Sequence, residues 1–195
     1  EYIADMVLPN MAHAAVLGSP HPHARIVSYD LSEAKAAPGV VAILTGEDIG
    51  DGRMGAFIKD EHAIAKNRVR YVGEPVAAVA AETERQAQAA VALIKIEYEV
   101  LPSVLSPAEG LAEGAVLLHP EVEDYITVFD SGSKGNLVSR TEFSEGDPDQ
   151  AFSKAEIIVE GTYTTQAQAH VSIEPCGALA DMDGNGKIRL WTANQ

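Results

Sequence analysis

The residues with the clearest chemical potential lie close together near the end of the sequence. His170 and Glu174 are four positions apart, and the single cysteine, Cys176, follows two positions later. On a helix, this spacing would place the histidine and the glutamate on one face, as in helical zinc sites. However, Pro175 biases Glu174 away from helical backbone, and in an extended chain the two side chains are about 13 Å apart, too far for one ion. We therefore expect a buried, hydrogen-bonded corner, with Cys176 as an inert small residue.

A second pattern with metal-binding potential follows directly. Asp181, Asp183, Asn185 and Gly186 match the first positions of a calcium-binding EF-hand loop, where oxygen ligands suit a hard cation. Position twelve of that loop should be a bidentate glutamate, and here it is Thr192. The flanking residues have the pattern of strands, whereas the EF-hand needs helices. A hairpin turn therefore explains these residues better than calcium binding, which remains the weaker hypothesis.

Two other polar positions carry weaker signals. His21 and His23 flank a proline, but no third metal ligand lies near them in the sequence, so we expect a surface turn. Glu74 follows a glycine at the start of a strand, and by itself this position indicates no chemistry. The Walker, GxGxxG, GxSxG and CxxC patterns do not occur, so the common nucleotide, esterase and redox signatures are missing.

Charge and composition narrow the classes of function. The 195 residues carry a formal net charge of −15, and this acidity argues against binding to nucleic acid or anionic membranes. No apolar run approaches the roughly 18 residues of a membrane span. One cysteine cannot form an internal disulfide, which favours a reducing compartment, and we expect the cytoplasm.

The first half of the sequence predicts strands separated by short helices. Residues 13–19 and 24–31 are rich in apolar residues, and residues 40–46 form a β-branched run. Ser32 is predicted to cap a short helix that ends at Pro38. These segments must form a sheet before any candidate residue can be positioned.

The clearest pattern is a strand, a helix and a second strand in succession. Residues 76–81 are a short apolar run, and Thr83 and Gln86 have the spacing of a helix-capping box. Residues 95–100 alternate strictly between apolar and charged side chains. Such a succession predicts a βαβ unit and therefore a mixed sheet with helices on one side.

The remaining residues are less regular until the final third. A connector precedes Asp147 and Pro148, which together mark the start of a short helix. Residues 156–170 alternate like a long strand, and residues 177–193 predict a hairpin with the letters DGNG at its turn.

The order of these segments resembles a known family. Residues 13–49 ("HAAVLGSPHPHARIVSYDLSEAKAAPGVVAILTGEDI") and 71–102 ("YVGEPVAAVAAETERQAQAAVALIKIEYEVLP") are similar to the α/β-hammerhead domain of the xanthine dehydrogenase and aldehyde oxidase family. Residues 146–195 resemble the start of the molybdenum-cofactor-binding domain that follows it. The resemblance implies an α+β fold, in which a mixed-sheet hammerhead domain is followed by the first strands of a molybdopterin-binding domain. The expected divisions are a hammerhead domain at 1–107, a connector at 108–146 and an incomplete cofactor domain at 147–195.

This resemblance implies a molybdenum hydroxylase, an oxidoreductase that hydroxylates an aldehyde or N-heterocycle carbon with water as the oxygen source. The implied cofactor is molybdenum-molybdopterin, in its cytosine dinucleotide form. The implied partners are the remainder of the molybdenum-binding subunit and iron–sulfur and FAD subunits or domains. Gln195 stands where family members have a glutamine that hydrogen-bonds the molybdenum centre, so it is the expected cofactor-binding residue. His170, Glu174 and Pro175 match a family pattern, H-x-x-x-E-P, to which we assign a structural role near that site.

We expect the chain to be a fragment or a split subunit of such an enzyme. The family's glycine-rich loop and its late glutamate, which acts as general base, have no counterpart in these residues. We therefore expect no catalytic residue, no metal ligand and no bound cofactor in this chain alone. The alternative, from another class of function, is a noncatalytic scaffold that docks partner subunits.

Overall fold

The chain forms two structural units in the computed structural model, which describes residues 2–129 and 132–193. The larger unit comprises residues 12–142, and the smaller one combines the residues up to 11 with those from 143 onward. Within these described residues, no helix has both the length and the apolar character needed to cross a membrane.

The larger unit contains two small sheets of three strands each. In the first sheet the strand order is β1 (His13–Gly18), β5 (Pro75–Ala81) and β3 (Val40–Thr45). In the second sheet the order is β4 (Arg68–Val69), β2 (Ala24–Asp30) and β6 (Lys95–Val100). Every strand pairing among the described residues is antiparallel, and the central strands β5 and β2 are bonded on both sides.

The α+β class is confirmed, but the predicted βαβ unit is wrong. Strands β5 and β6 flank the helix α2 (Glu84–Val91), yet they belong to different sheets, and each pairs in antiparallel with an earlier strand. The described sheets are therefore antiparallel and not mixed. The hydrophobic pattern indicates which segments are strands, but it does not encode the partner of each strand, because that partner lies far away in the sequence.

Local signals determine where the first helices begin. At α2, the Thr83 hydroxyl oxygen accepts a hydrogen bond from the Gln86 backbone N–H at 3.3 Å, which confirms the predicted cap. At α1 (Ser32–Lys35) the prediction was wrong, because Ser32 is already helical and the Asp30 carboxylate accepts hydrogen bonds from its N–H and hydroxyl. A carboxylate is favoured there because the first N–H groups of a helix have no partner within it.

Alanine residues allow α2 to pack closely on the first sheet. Ala87 and Ala90 are fully buried, and α2 lies against β1 and β5. Ala90 shares a core cluster with Ala77 and Val79 of β5. The distance between helix and sheet is therefore set by methyl groups, which leave no room for a larger side chain at these positions.

The segment expected as a connector begins with a third helix, α3 (Pro107–Leu111). A single turn of 3₁₀ helix follows at Val122–Asp124. Val122 and Tyr125 form a small buried cluster with Ile58. This cluster attaches the segment to the loop that precedes β4.

Two predictions for the smaller unit are confirmed. The helix α4 (Pro148–Lys154) begins at Asp147, whose carboxylate accepts a hydrogen bond from the Gln150 N–H at 2.9 Å. The hairpin consists of β7 (Ala178–Met182) and β8 (Ile188–Thr192), which pair in antiparallel.

The long strand predicted over residues 156–170 is not formed. The chain has no regular structure between α4 and the hairpin, and its apolar side chains face solvent, with Val159 exposed by 87% and Tyr163 by 93%. A strand needs a neighbour that satisfies its backbone polar groups, and none of the described residues provides one.

The close packing of α2 generates a stability prediction. We expect Ala90→Leu to lower the free energy of unfolding by about 1–3 kcal/mol, because the added groups overpack the space between helix and sheet. Ala89→Leu is the matched control, since Ala89 is exposed on the same helix. Urea unfolding followed by circular dichroism measures both variants, and equal stabilities would contradict the described packing.

Candidate functional site

The residues singled out near the end of the sequence line one concave surface of the smaller unit. This concave surface encloses about 920 Å³, within the usual range of ligand sites of about 300–1,000 Å³. Its lining comprises His170, Val171, Ser172, Glu174, Pro175, Cys176 and Ala193. The structure therefore brings the three residues of the predicted corner, and the cysteine, to one place.

Glu174 is the residue that anchors the concave surface. Its Oε1 accepts a hydrogen bond from the backbone N–H of Ile3 at 2.8 Å. The Ile3 side chain also lies against Gly177, where an added Cβ would come within 3.2 Å of the Ile3 Cγ2. Glu174 thereby ties the beginning of the chain to the residues that lead into the hairpin.

His170 takes no part in this hydrogen bonding. Its side chain is exposed and makes no hydrogen bond with any of the residues that the structure describes, so the expectation of a buried corner is wrong for His170. The reason is that the residues around it, 161–173, are all exposed. His170 and Glu174 also lie outside any helix, so the geometry of a helical zinc site is not formed. Cys176 is likewise exposed.

The backbone beside His170 adopts an unusual conformation. Val171 has a φ of 47°, in the left-handed region. A β-branched residue is rarely found there, because its side chain is crowded by the backbone. Such outliers concentrate at functional sites. Val171 is also one of the residues that line the concave surface.

The acidic residues of the hairpin turn serve the turn itself. Asp183 Oδ1 accepts hydrogen bonds from the N–H groups of Asn185 at 2.9 Å and Lys187 at 3.0 Å. Asp181 pairs with Arg189 across the two strands. An EF-hand would direct these carboxylates at calcium, but here they bond groups of the hairpin itself. The geometry therefore favours a hairpin turn over a calcium site. Across residues 2–129 and 132–193, no group of three or more His, Cys, Asp or Glu side chains is arranged to hold a metal ion.

A second group of polar residues, the Arg70 network, lies largely buried in the larger unit. The Arg70 Nη2 donates a hydrogen bond to Glu121 Oε1 at 3.0 Å, and its Nε donates to the Leu118 carbonyl at 3.1 Å. On its other side, the Arg70 Nη1 lies 3.9 Å from Glu74 Oε1. The Tyr125 hydroxyl donates to the same Glu121 oxygen at 2.8 Å. Arg70 therefore joins the end of β4 to the segment that follows α3.

Two more side chains complete the Arg70 network. The His119 Nδ1 lies 2.9 Å from the Tyr125 hydroxyl, which accepts its hydrogen because its own is donated to Glu121. The Arg53 guanidinium stacks over the Tyr125 ring at 4.6 Å and lies 3.6 Å from Glu121. The sequence pattern indicates no role for Glu74 and gives no sign of the other members. The only local signal was the four-residue spacing of Arg70 and Glu74 around a glycine turn.

Burial and charge shift the pKa values in this network in opposite directions. Burial raises the pKa of the Glu74 carboxyl, and the hydrogen bond and charge of Arg70 offset this only in part. Burial would also raise the pKa of Glu121, but the hydrogen bond from Tyr125 and the charges of Arg70 and Arg53 together lower it. Burial lowers the pKa of His119, and the charge of Arg70 adds to the effect. Shifted pKa values are common at active sites, yet here the groups bond one another, which indicates a structural clamp.

His23 contradicts the expectation of a surface turn. It is only 2% exposed, and its Nδ1 lies 2.6 Å from the Pro102 carbonyl oxygen, which can only accept. The hydrogen therefore lies on Nδ1, and no described residue bonds the buried Nε2. His21 is partly exposed and packs edge-on against Tyr98, with ring centroids 4.9 Å apart. His23, directly before β2, thus binds Pro102, which lies two residues after the end of β6.

The sequence matches two family descriptions in succession. Residues 1–102 match the description "Aldehyde oxidase and xanthine dehydrogenase, a/b hammerhead domain", which covers more than half of the chain. The chain belongs to the aldehyde oxidase and xanthine dehydrogenase family. Residues 129–195 match the description "Molybdopterin cofactor-binding domain". The resemblance read from the sequence is therefore confirmed.

Relatives of this family align with the entire chain. A probable xanthine dehydrogenase subunit of Bacillus subtilis (strain 168) is 36% identical, over 100% of this chain and 25% of the relative. The nicotinate dehydrogenase large molybdopterin subunit of Eubacterium barkeri is 35% identical, over 100% of this chain and 43% of the relative. The chain thus spans between a quarter and less than half of the length of these curated relatives.

Solved structures of the family show the same fold. Quinoline 2-oxidoreductase from Pseudomonas putida 86 superposes with a TM-score of 0.83 at 33% identity, over 100% of this chain and 24% of that one. A Cu,Mo-CO dehydrogenase superposes with a TM-score of 0.84 at 30% identity, over 98% of this chain and 25% of that one. The hammerhead fold expected from the sequence is confirmed by these likenesses.

The concave surface fits only part of the cofactor that the family description names. His170 and Ser172 offer polar groups to a ligand, but the lining residues include no lysine or arginine. The phosphates of a dinucleotide form need cations or clustered N–H groups. Among the described residues, the lining of this concave surface therefore offers polar groups to a ligand but no cationic side chain for a phosphate. Gln195, the predicted cofactor-binding residue, lies outside the described residues.

The different contributions of Glu174 and His170 to the fold can be tested by measuring the stability of variants. We expect Glu174→Ala to cost about 1 kcal/mol, because the Ile3 N–H loses its partner, and Glu174→Gln to retain most of that stability through its amide oxygen. We expect His170→Ala to leave Tm unchanged, because the imidazole is exposed. Differential scanning calorimetry compares the three variants. A larger loss for His170→Ala than for Glu174→Ala would contradict this description.

The pKa shifts predict opposite pH dependences for two glutamates. The pKa of Glu74 is raised in the folded state. Its protonated carboxyl therefore adds to the free energy of unfolding fully below its usual pKa, and this contribution is lost as pH rises through the raised pKa. Glu74→Gln should therefore gain stability relative to the wild type as pH increases from about 4.5 to 7.

Glu121 provides the matched comparison. Its pKa is lowered, so its contribution is present above its usual pKa and is lost as pH falls below that value. The free energy of unfolding that Glu121→Gln loses relative to the wild type should therefore become smaller as pH falls. Urea unfolding across a pH series measures both differences, and slopes of the same sign for the two variants would contradict the assigned shifts.

Proposed function

We propose that this chain is part of the molybdenum-binding subunit of a hydroxylase that oxidises an aldehyde or N-heterocycle carbon with water as the oxygen source. The observation that carries the proposal is the succession of two family matches in one chain, the hammerhead domain and then the molybdopterin cofactor-binding domain. The relatives support the same class, since their names include a xanthine and a nicotinate dehydrogenase subunit.

Exposed apolar residues in the smaller unit support further polypeptide as its partner. Ile157, Val159, Tyr163, Val171 and Ile173 are each more than 80% exposed. A domain that folded alone would bury many of these side chains, since burial of each contributes about 1.5–3 kcal/mol. We propose that the remainder of the molybdenum-binding subunit covers them and supplies the neighbour that residues 156–170 lack.

Molybdenum-molybdopterin, in its cytosine dinucleotide form, is the proposed cofactor. When bound, it supplies the redox chemistry of the hydroxylation. The chain's own share is positional: Gln195 would hydrogen-bond the molybdenum centre, and His170, Glu174 and Pro175 would shape the entry to it. We assign no catalytic residue to this chain. Iron–sulfur and FAD subunits or domains are the proposed electron carriers, and the cytoplasm is the proposed location.

The test uses the complete subunit that contains this segment, purified with its partner subunits. We expect stoichiometric molybdenum by mass spectrometry, and oxygen transfer from labelled water to an aldehyde or N-heterocycle. Gln195→Ala should retain the metal and lower kcat by on the order of tenfold or more, because a hydrogen bond at the reacting centre is lost. Thr192→Ala is the matched control, since Thr192 is exposed on the preceding strand.

Two outcomes would contradict the proposal. A complete subunit that carries neither molybdenum nor pterin would favour the noncatalytic scaffold. A Gln195→Ala enzyme with unchanged kcat would remove the assigned role of this glutamine while leaving the proposed reaction intact.

A further inference from the structure

Three arginines converge on one small cavity of the larger unit, which we name the arginine cavity. It has a volume of about 230 Å³ and is lined by Arg25, Asn67, Arg68, Arg70 and Glu121. The chain as a whole carries a net charge of −15, so this convergence of cations opposes the general charge of the protein.

The register of the second sheet forces two of these charges together. Arg25 of β2 and Arg68 of β4 lie directly opposite each other in the antiparallel pairing. Like charges at such positions destabilise a sheet unless something compensates them. Val69 is fully buried between Arg68 and Arg70, so these two arginines project to the same side of the strand, toward the cavity.

The available carboxylates do not neutralise this pair. Glu99, the neighbour of Arg25 on the other side, forms an ion pair at 2.9 Å, but both side chains are more than half exposed. Exposed ion pairs of this kind contribute little to stability, about 0–1 kcal/mol. The guanidinium of Arg25 can therefore leave Glu99 and bind another anion. Arg68 has no ion pair with any residue in the described ranges.

Glu121 lines the cavity but its charge is already engaged. Its carboxylate accepts hydrogen bonds from Arg70 and Tyr125 and lies 3.6 Å from Arg53. The donors that remain for a ligand are the guanidinium of Arg68, that of Arg25 and the side-chain amide of Asn67, which makes no hydrogen bond with a described residue.

We propose that the arginine cavity binds a small oxyanion, held by Arg68, Arg25 and Asn67. Guanidinium groups present paired N–H donors that match the oxygens of phosphate or carboxylate. At about 230 Å³, the cavity is smaller than typical sites for drug-sized ligands, about 300–1,000 Å³. An anion between Arg25 and Arg68 would also relieve their repulsion, so binding would stabilise the second sheet.

The experiment titrates the complete subunit that contains this segment with inorganic phosphate, with chloride adjusted to keep the ionic strength constant. We expect saturable phosphate binding by isothermal titration calorimetry, and a rise in Tm over the same concentrations. Arg68→Gln should weaken binding by on the order of tenfold, the loss of one charged hydrogen bond. Arg189→Gln, on the hairpin of the smaller unit, is the control and should bind phosphate unchanged.

A further variant and an acidic peptide separate the possible outcomes. Arg68→Lys retains the charge but loses the paired donors, and we expect an affinity between those of the wild type and Arg68→Gln. This variant also gives the answer if Arg68→Gln does not fold. Equal phosphate affinity for the wild type and both Arg68 variants would overturn the proposal. Binding of an oligoglutamate peptide that phosphate cannot displace would also overturn it, in favour of an acidic protein partner.

Discussion

The N–H and C=O groups of an extended backbone must be satisfied by a neighbouring strand or by water, and this requirement explains the contrast between the two units. In the larger unit, β5 and β2 each lie between two partners, so the apolar residues of both sheets can be buried. In the described part of the smaller unit, the hairpin alone provides its own pairing, and the residues before it remain exposed although their sequence alternates like a strand. Side-chain patterns favour a strand, but the backbone partner decides whether it forms.

In the larger unit, polar side chains attach segments that the small apolar cores do not hold in place. The core clusters consist largely of alanine and valine, which contribute less burial energy per residue than larger side chains. Buried hydrogen bonds from Arg70 and His23 attach segments that lie outside the sheets. Arg70 and Glu121 also line the arginine cavity, so the same contacts that hold the fold position the proposed anion site.

Local features of the fold were predictable from the sequence, and long-range ones were not. The caps at Thr83 and Asp147 and the hairpin turn depend on neighbouring residues, and they were found at the expected places. The pairing of β5 and β6 with β1 and β2 depends on residues far apart, which periodicity does not report. His23 and Glu74 were misjudged for the same reason, because their burial is created by strands and loops from elsewhere in the chain. The family was identified because the order of segments carries information that no single motif has.

The central position of β5 has a consequence for synthesis of the protein. Strand β5 lies between β1 and β3 and pairs with both, although it follows them by dozens of residues. Until β5 has left the ribosome, the nascent chain holds two apolar strands with open edges, including Val16, Val41 and Leu44, which are partly exposed even in the finished fold. Unpaired apolar edges of this kind promote aggregation. Chaperone shielding of the nascent polypeptide is therefore most needed during the interval between the emergence of β1 and that of β5.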